Sequence, residues 1–81
     1  MRILFSPVLQ KYAGVAELAY PWQEGATIRD VAAYLEQAAN TDKLKFACTY
    51  MILINGRRIA QASDIVAAGD VLTLIPVIQG G

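Results

Sequence analysis

One stretch of this 81-residue chain carries apolar residues at helical spacing behind a clear start signal, and nearly every other apolar run reads as strand. Thr27-Ile28-Arg29-Asp30 fits a capping box, with Thr27 as N-cap and Asp30 reaching back to it. Ile28, Val31, Ala32, Leu35, Ala38 and Ala39 then recur on one helical face, and the helix is expected to end near Asn40. Before it, residues 3–8 are β-branched and aromatic enough for a first strand, and residues 11–14 break the pattern, with Gly14 suited to a turn. Residues 17–22 alternate as a second strand, with Leu18, Tyr20 and Trp22 on one face and Pro21 marking a frayed or edge position. After a polar loop, residues 50–54 form a strongly apolar strand. Asn55-Gly56 supplies the two positive-φ positions of a tight hairpin turn, and residues 57–60 return as the partner strand. Residues 63–68 read as a short helical turn ended by Gly69-Asp70. Gly69 is expected to take positive φ, and Asp70 to accept a backbone N–H. A last strand covers residues 71–77 and is apolar on both faces, which places it at the centre of a sheet.

One main helix packed across a mixed sheet of four to five strands buries these faces most simply. The expected fold is therefore α+β, of the β-grasp (ubiquitin-like) plan. A single domain is expected over residues 1–81, with a flexible diglycine tail at 79–81.

Composition narrows the chemistry. There is no histidine, so the usual general base and metal ligand are missing, and the one cysteine, Cys48, cannot by itself hold a metal or an iron–sulfur cluster. Seven basic and seven acidic residues leave no net charge and no basic stripe, so nucleic-acid binding has no electrostatic support. No apolar run approaches the ~20 residues of a membrane span, and the apolar start before Ser6-Pro7 is too short for a secretory signal, so a cytoplasmic location is expected. Hydrophobic residues make up 56% of the chain, more than one small core can hide, which points to an apolar surface patch and a partner protein.

The end of the chain, Leu74-Ile75-Pro76-Val77-Ile78-Gln79-Gly80-Gly81, carries the chemical signal. Gly80 and Gly81 have no side chains to block a narrow channel, and they reach backbone angles closed to other residues. A carboxylate on such a tail can meet ATP and become an acyl-adenylate. Sulfide can then displace AMP and leave a thiocarboxylate; a persulfide can do so once a second thiol on its donor cleaves the resulting S–S bond and forms a disulfide.

The residues 3–5 strand, Tyr12-Ala13-Gly14, the Thr27-started helix, Ile54-Asn55-Gly56, Ala68-Gly69-Asp70 and the final Gly80-Gly81 occur in an order that resembles the MoaD/ThiS sulfur carriers over nearly the whole chain. The resemblance implies a ubiquitin-like fold with no bound cofactor. It also implies that a ubiquitin-activating-type enzyme uses ATP to adenylate Gly81, which then becomes a thiocarboxylate. The chain would be a carrier rather than an enzyme, and the implied second partner is the large subunit of molybdopterin synthase or an equivalent sulfur acceptor. The long segment 37–50 favours the molybdopterin type, while Val77-Ile78-Gln79 leans towards the thiamine type. A carrier for another sulfur metabolite and a lysine-linked protein modifier stay open.

Candidate partner contacts are Phe5, Pro76, Ile78 and Gln79 near the tail, with Arg57 and Arg58 on the hairpin. Leu74, Pro76 and Ile78 share one face of the last strand and Ile75 and Val77 the other, so some of these apolar residues belong to the core instead. Cys48 is read as a small buried hydrophobe, since carrier chemistry needs no thiol on this chain.

Overall fold

The computed structural model describes residues 1–37 and 49–77. Its elements are β1 (Arg2–Phe5), α1 (Pro7–Ala13), β2 (Glu17–Ala19), α2 (Ile28–Gln37), β3 (Thr49–Ile54), β4 (Arg58–Ile59) and β5 (Val71–Val77). The five strands form one mixed sheet in the order β2-β1-β5-β3-β4. β5 is central as expected, parallel to β1 and antiparallel to β3. This is the β-grasp fold.

The core lies between the sheet and α2. Ile28, Val31 and Leu35 of α2 are buried with Ile3 and Phe5 of β1, Ile52 and Ile54 of β3, and Leu72 and Leu74 of β5. Full burial of such a side chain contributes about 1.5–3 kcal/mol each, so this layer dominates the stability. The capping box forms: Thr27 N–H donates to Asp30 Oδ2 at 2.9 Å, and Asp30 N–H lies 3.4 Å from Thr27 Oγ1. The end expected for this helix, Asn40, falls outside the described residues.

Four local expectations are corrected. The first strand stops at Phe5, because Pro7 occupies the first turn of α1 with its φ already helical. Residues 11–13 continue that helix, and Gly14 caps it at φ 79°, the left-handed conformation that favours glycine. The second strand is only three residues long. Leu18, Tyr20 and Trp22 nonetheless all pack against the core, with Trp22 Nε1 donating to the Val66 carbonyl at 2.9 Å. Residues 63–68 are not helical, because their backbone groups serve the start of α2 instead. Ile28 N–H donates to the Asp64 carbonyl and Val66 N–H to the Ala26 carbonyl. Gly69 is not among the positive-φ residues, which among the described residues are Gly14, Gly25, Asn55 and Gly56.

The Asn55-Gly56 turn takes φ of 54° and 67°, and Arg57 N–H closes it on the Ile54 carbonyl. The ladder resumes at Ile54↔Arg58, which leaves Arg57 as one extra residue on the return strand. Asn55 also ties the hairpin to the start of β5. Its Nδ2 donates to Asp70 Oδ1 at 3.0 Å, and its Oδ1 accepts the Val71 N–H at 2.9 Å. Asp70 in turn accepts the Ala67 N–H, as expected for a turn carboxylate.

Candidate functional site at the exit of the central strand

Because β1 and β5 are parallel and β3 is antiparallel to β5, three strand ends meet at one edge of the sheet. Phe5 lies beside Leu74, Tyr50 beside Pro76 and Thr49 beside Val77. Val77 is the last described residue of β5.

Hydrogen-bond directions explain how a proline can end a central strand. Ser6 N–H donates to the Leu74 carbonyl, and Asn55 N–H donates to the Val71 carbonyl. Main-chain groups alternate sides along a strand, so even-numbered residues of β5 face β1 and odd-numbered ones face β3. Tyr50↔Pro76 is therefore a non-hydrogen-bonded pair, and the β3 ladder loses nothing at the proline. On the other side, the next bond of the parallel ladder would run from the residue 76 N–H to the Ser6 carbonyl. Proline has no such donor. The β1 pairing accordingly stops at Phe5↔Leu74, and the Ser6 carbonyl accepts the Gln10 N–H of α1 at 3.0 Å. Ser6 is the N-cap residue of α1 but makes no side-chain cap, and its buried Oγ has no partner.

The same alternation sorts β5 into two faces. Leu72 and Leu74 are fully buried, whereas Val71, Thr73, Ile75 and Val77 are half-buried on the face away from α2. Register places Leu4, Met51 and Leu53 on this outer face, and Ile59 joins Leu53 there at 57% exposure. The surplus apolar composition thus surfaces as a largely apolar sheet face. Its β2 side is closed by an exposed ion pair, Arg2 Nε to Glu17 Oε2 at 3.0 Å. The Arg2 hydrogen bond and charge hold the Glu17 carboxyl below its ordinary range, and Glu17 raises Arg2 in return. Behind the sheet, burial and then the Asp30 charge push the Tyr20 phenol upward.

The structure separates the residues read as partner contacts from the sequence. Pro76 is half-buried at the exit. Phe5 is corrected: at 4% exposure its ring is a core side chain, because it shares the inner face with Leu74 and cannot also meet a partner. Arg57 and Arg58 lie at the opposite end of the sheet from Val77, beside the start of β5. Arg58 Nη1 is already paired with Asp64 Oδ2 at 3.0 Å, while Arg57 is exposed at the turn. Ile78, Gln79, Gly80, Gly81 and Cys48 lie outside the described residues. The outer face itself was missed, although Thr73 carried a signal. It is the one polar side chain within residues 71–77 and so marks the odd-numbered residues as the wetter face.

The ThiS family model matches residues 3–81 of the sequence. The chain belongs to the ThiS family. This ThiS-family chain is also similar to solved structures. SAMP1 from Haloferax volcanii superposes with a TM-score of 0.78 at 25% identity, over 99% of this chain and 97% of that one. A putative molybdopterin converting factor, subunit 1, from Pyrococcus furiosus gives 0.79 at 22% identity, over 95% of each chain. A second Haloferax volcanii structure, of small archaeal modifier protein 1, gives 0.76 at 23% identity, over 95% of each chain. No curated protein matches the sequence. Among the described residues, no helix of this ThiS-family chain is long and apolar enough to cross a membrane.

Proposed function

We propose that this protein is a sulfur carrier whose Gly81 carboxylate is adenylated by a ubiquitin-activating-type enzyme and converted to a thiocarboxylate. It donates that sulfur as the small subunit of molybdopterin synthase. The observation that carries the reading is the placement of β5: the central strand delivers the chain to Val77, and the family match continues through Gly81. In the first step the Gly81 carboxylate oxygen attacks the α-phosphate of ATP and releases pyrophosphate. In the second, a sulfur nucleophile supplied by a partner attacks the acyl carbon and expels AMP. This chain holds no histidine to act as base, so its own part is to bind, to present the tail and to let the partner exclude water. Among sulfur acceptors, molybdopterin synthesis is favoured by the long segment 37–50 and by the name of the Pyrococcus furiosus fold relative.

A second reading, a protein modifier joined through Gly81 to lysine amines, is favoured by the Haloferax volcanii relative, whose name is that of a modifier. Both readings share the adenylate and differ in the nucleophile that follows. Mass spectrometry of the protein incubated with an adenylating enzyme, ATP and a sulfide source separates them. A carrier becomes heavier by the difference between sulfur and oxygen on its C-terminal peptide. Lysine-linked conjugates in cells without that species would establish the modifier, and an unchanged tail under both conditions would exclude both readings.

The outer sheet face, continuous with the exit of β5, is the surface we assign to docking both partners. A stable contact buries at least about 1,000 Å² in total, which requires part of the sheet as well as the tail. Ile75→Asp is expected to weaken binding to the adenylating enzyme and to the large synthase subunit while circular dichroism remains that of a folded domain. Unchanged affinity for both in the folded variant would move the docking surface elsewhere.

A further inference from the structure

We propose that, without a partner enzyme, this protein pairs with a second copy of itself, outer sheet face to outer sheet face, as a weak and freely exchanging dimer. The inference stands apart from the carrier reading, since it needs neither the tail nor an enzyme. Both helices lie on the inner side of the sheet. Leu9 and Ala13 of α1 and Ile28, Val31 and Leu35 of α2 are buried in one cluster with Ile3, Phe5, Leu72 and Leu74. Among the described residues, no helix packs over Leu4, Met51, Leu53, Ile75 and Val77 on the other side. Those side chains are only half-buried, and Ile59 beside Leu53 is exposed.

Charge decides which occupant the face suits. A two-fold dimer sets a patch against an identical patch, so a patch with net charge repels itself. Among the described strand residues of the outer face, the charged side chains are Arg2 and Glu17. They are bonded to each other, Nε to Oε2 at 3.0 Å and Nη2 to Oε1 at 3.3 Å. The patch is therefore neutral in itself, and the whole chain has no net charge. No net field opposes a second copy, and no unpaired charge on the face selects a partner of opposite sign.

A sheet can also grow by adding a strand at an open edge. Here both edges are blunted. Phe5 N–H donates to the Ala16 carbonyl and Tyr20 N–H to the Met1 carbonyl, so Glu17 and Ala19 of β2 face outward. The Ala19 carbonyl accepts the Tyr34 hydroxyl at 3.0 Å. Just beyond β4, Gln61 N–H donates to Asp64 Oδ2 at 2.7 Å and the Gln61 carbonyl accepts the Asp64 N–H at 2.9 Å. With β2 of three residues and β4 of two, neither edge offers a long run of free groups. Self-association is directed to the face, where a two-fold contact closes at two copies. Area sets its strength. A seven-residue strand is about 23 Å long and five strands are about 24 Å wide, so the face offers at most roughly 550 Å² in projection, or about 1,100 Å² for both copies. That is the weak end of specific contacts, so copies exchange. A partner that docks on the same face must displace the second copy.

Sedimentation of the full 81-residue chain without any enzyme tests this. The weight-average mass is expected to rise from that of one chain at about 10 µM towards that of two at about 1 mM, and no further. Because the contact is apolar, raising NaCl from about 50 mM to about 500 mM should move the midpoint by less than about twofold. Ile75→Asp enters a two-fold contact twice and should stay monomeric throughout. Ile59→Lys, at a site already 57% exposed, should weaken the dimer at least about tenfold without disturbing the fold. Ile65→Lys, at a residue bridged to Thr27 at the start of α2, should leave it intact. One chain's mass throughout, association that falls steeply with salt, a dimer that survives both face substitutions, loss of the dimer in Ile65→Lys, or growth past two copies would each overturn the face-to-face dimer.

Discussion

Deleting Gly81, or replacing it as Gly81→Trp, is expected to abolish adenylation and leave the fold untouched. Among the described residues, the buried core side chains all precede Val77, the last being Leu74. Removing the last residue therefore costs no apolar burial. The proposed chemistry, in contrast, depends on placing one carboxylate oxygen against the α-phosphorus of ATP. Displacing a reacting group by about 1 Å can cost a hundredfold, and loss of one residue moves the carboxylate by roughly 3.5 Å. An indole at the same position would also have to pass the narrow approach that suits two glycines. Pyrophosphate exchange should fall by at least about a hundredfold, while thermal unfolding should match that of the unaltered protein. A Gly81-deleted protein that still forms a thiocarboxylate would remove the basis for the assigned site.

Leu74→Ala is expected to give a loss of stability that, among truncations in β5, only Leu72→Ala should match. Leu74 has 0% exposure and sits between Phe5 of β1 and Ile52 of β3 on the inner face. Three strands converge there, so the cavity cannot close by a shift of one neighbour. Leucine-to-alanine changes at such sites cost about 3 kcal/mol, within a range of 2–5. Total stabilities are only about 5–15 kcal/mol, and in a domain of this size such a loss lowers Tm by roughly 15 °C. Thr73→Ala, one residue away on the outer face, should cost far less. Denaturant titration of the two variants checks the contrast, and equal losses would show that the faces of β5 have been assigned the wrong way round.

The elements legible in the sequence were those whose signals are local. The capping box at Thr27, the Asn55-Gly56 turn and the apolar length of β5 each specify their own conformation, and each is found. What was not legible depended on partners distant in sequence. Residues 63–68 have an adequate helical composition, but the Asp64 carbonyl is taken by Ile28 N–H and the Val66 N–H by the Ala26 carbonyl. The α1 helix did have a local signature, Ser6-Pro7 at its start and Gly14 at its end, yet the apolar residues running into Val8 resembled a continuing strand. At the candidate site, alternation alone could not tell the inner face of β5 from the outer, because both are apolar. Phe5 was therefore assigned to a surface when its register with Leu74 puts it in the core.

The parallel pairing of β1 with β5 has a practical result for anyone who wishes to watch this protein at work. Arg2 pairs with Val71, so the amino terminus sits at the far end of the central strand from Val77. Six residue steps separate those ends, or about 20 Å of strand. A fluorophore, biotin or affinity handle attached ahead of Met1 would stand clear of the end proposed to react. The same attachment behind Gly81 would occupy the carboxylate to which the proposed chemistry is assigned.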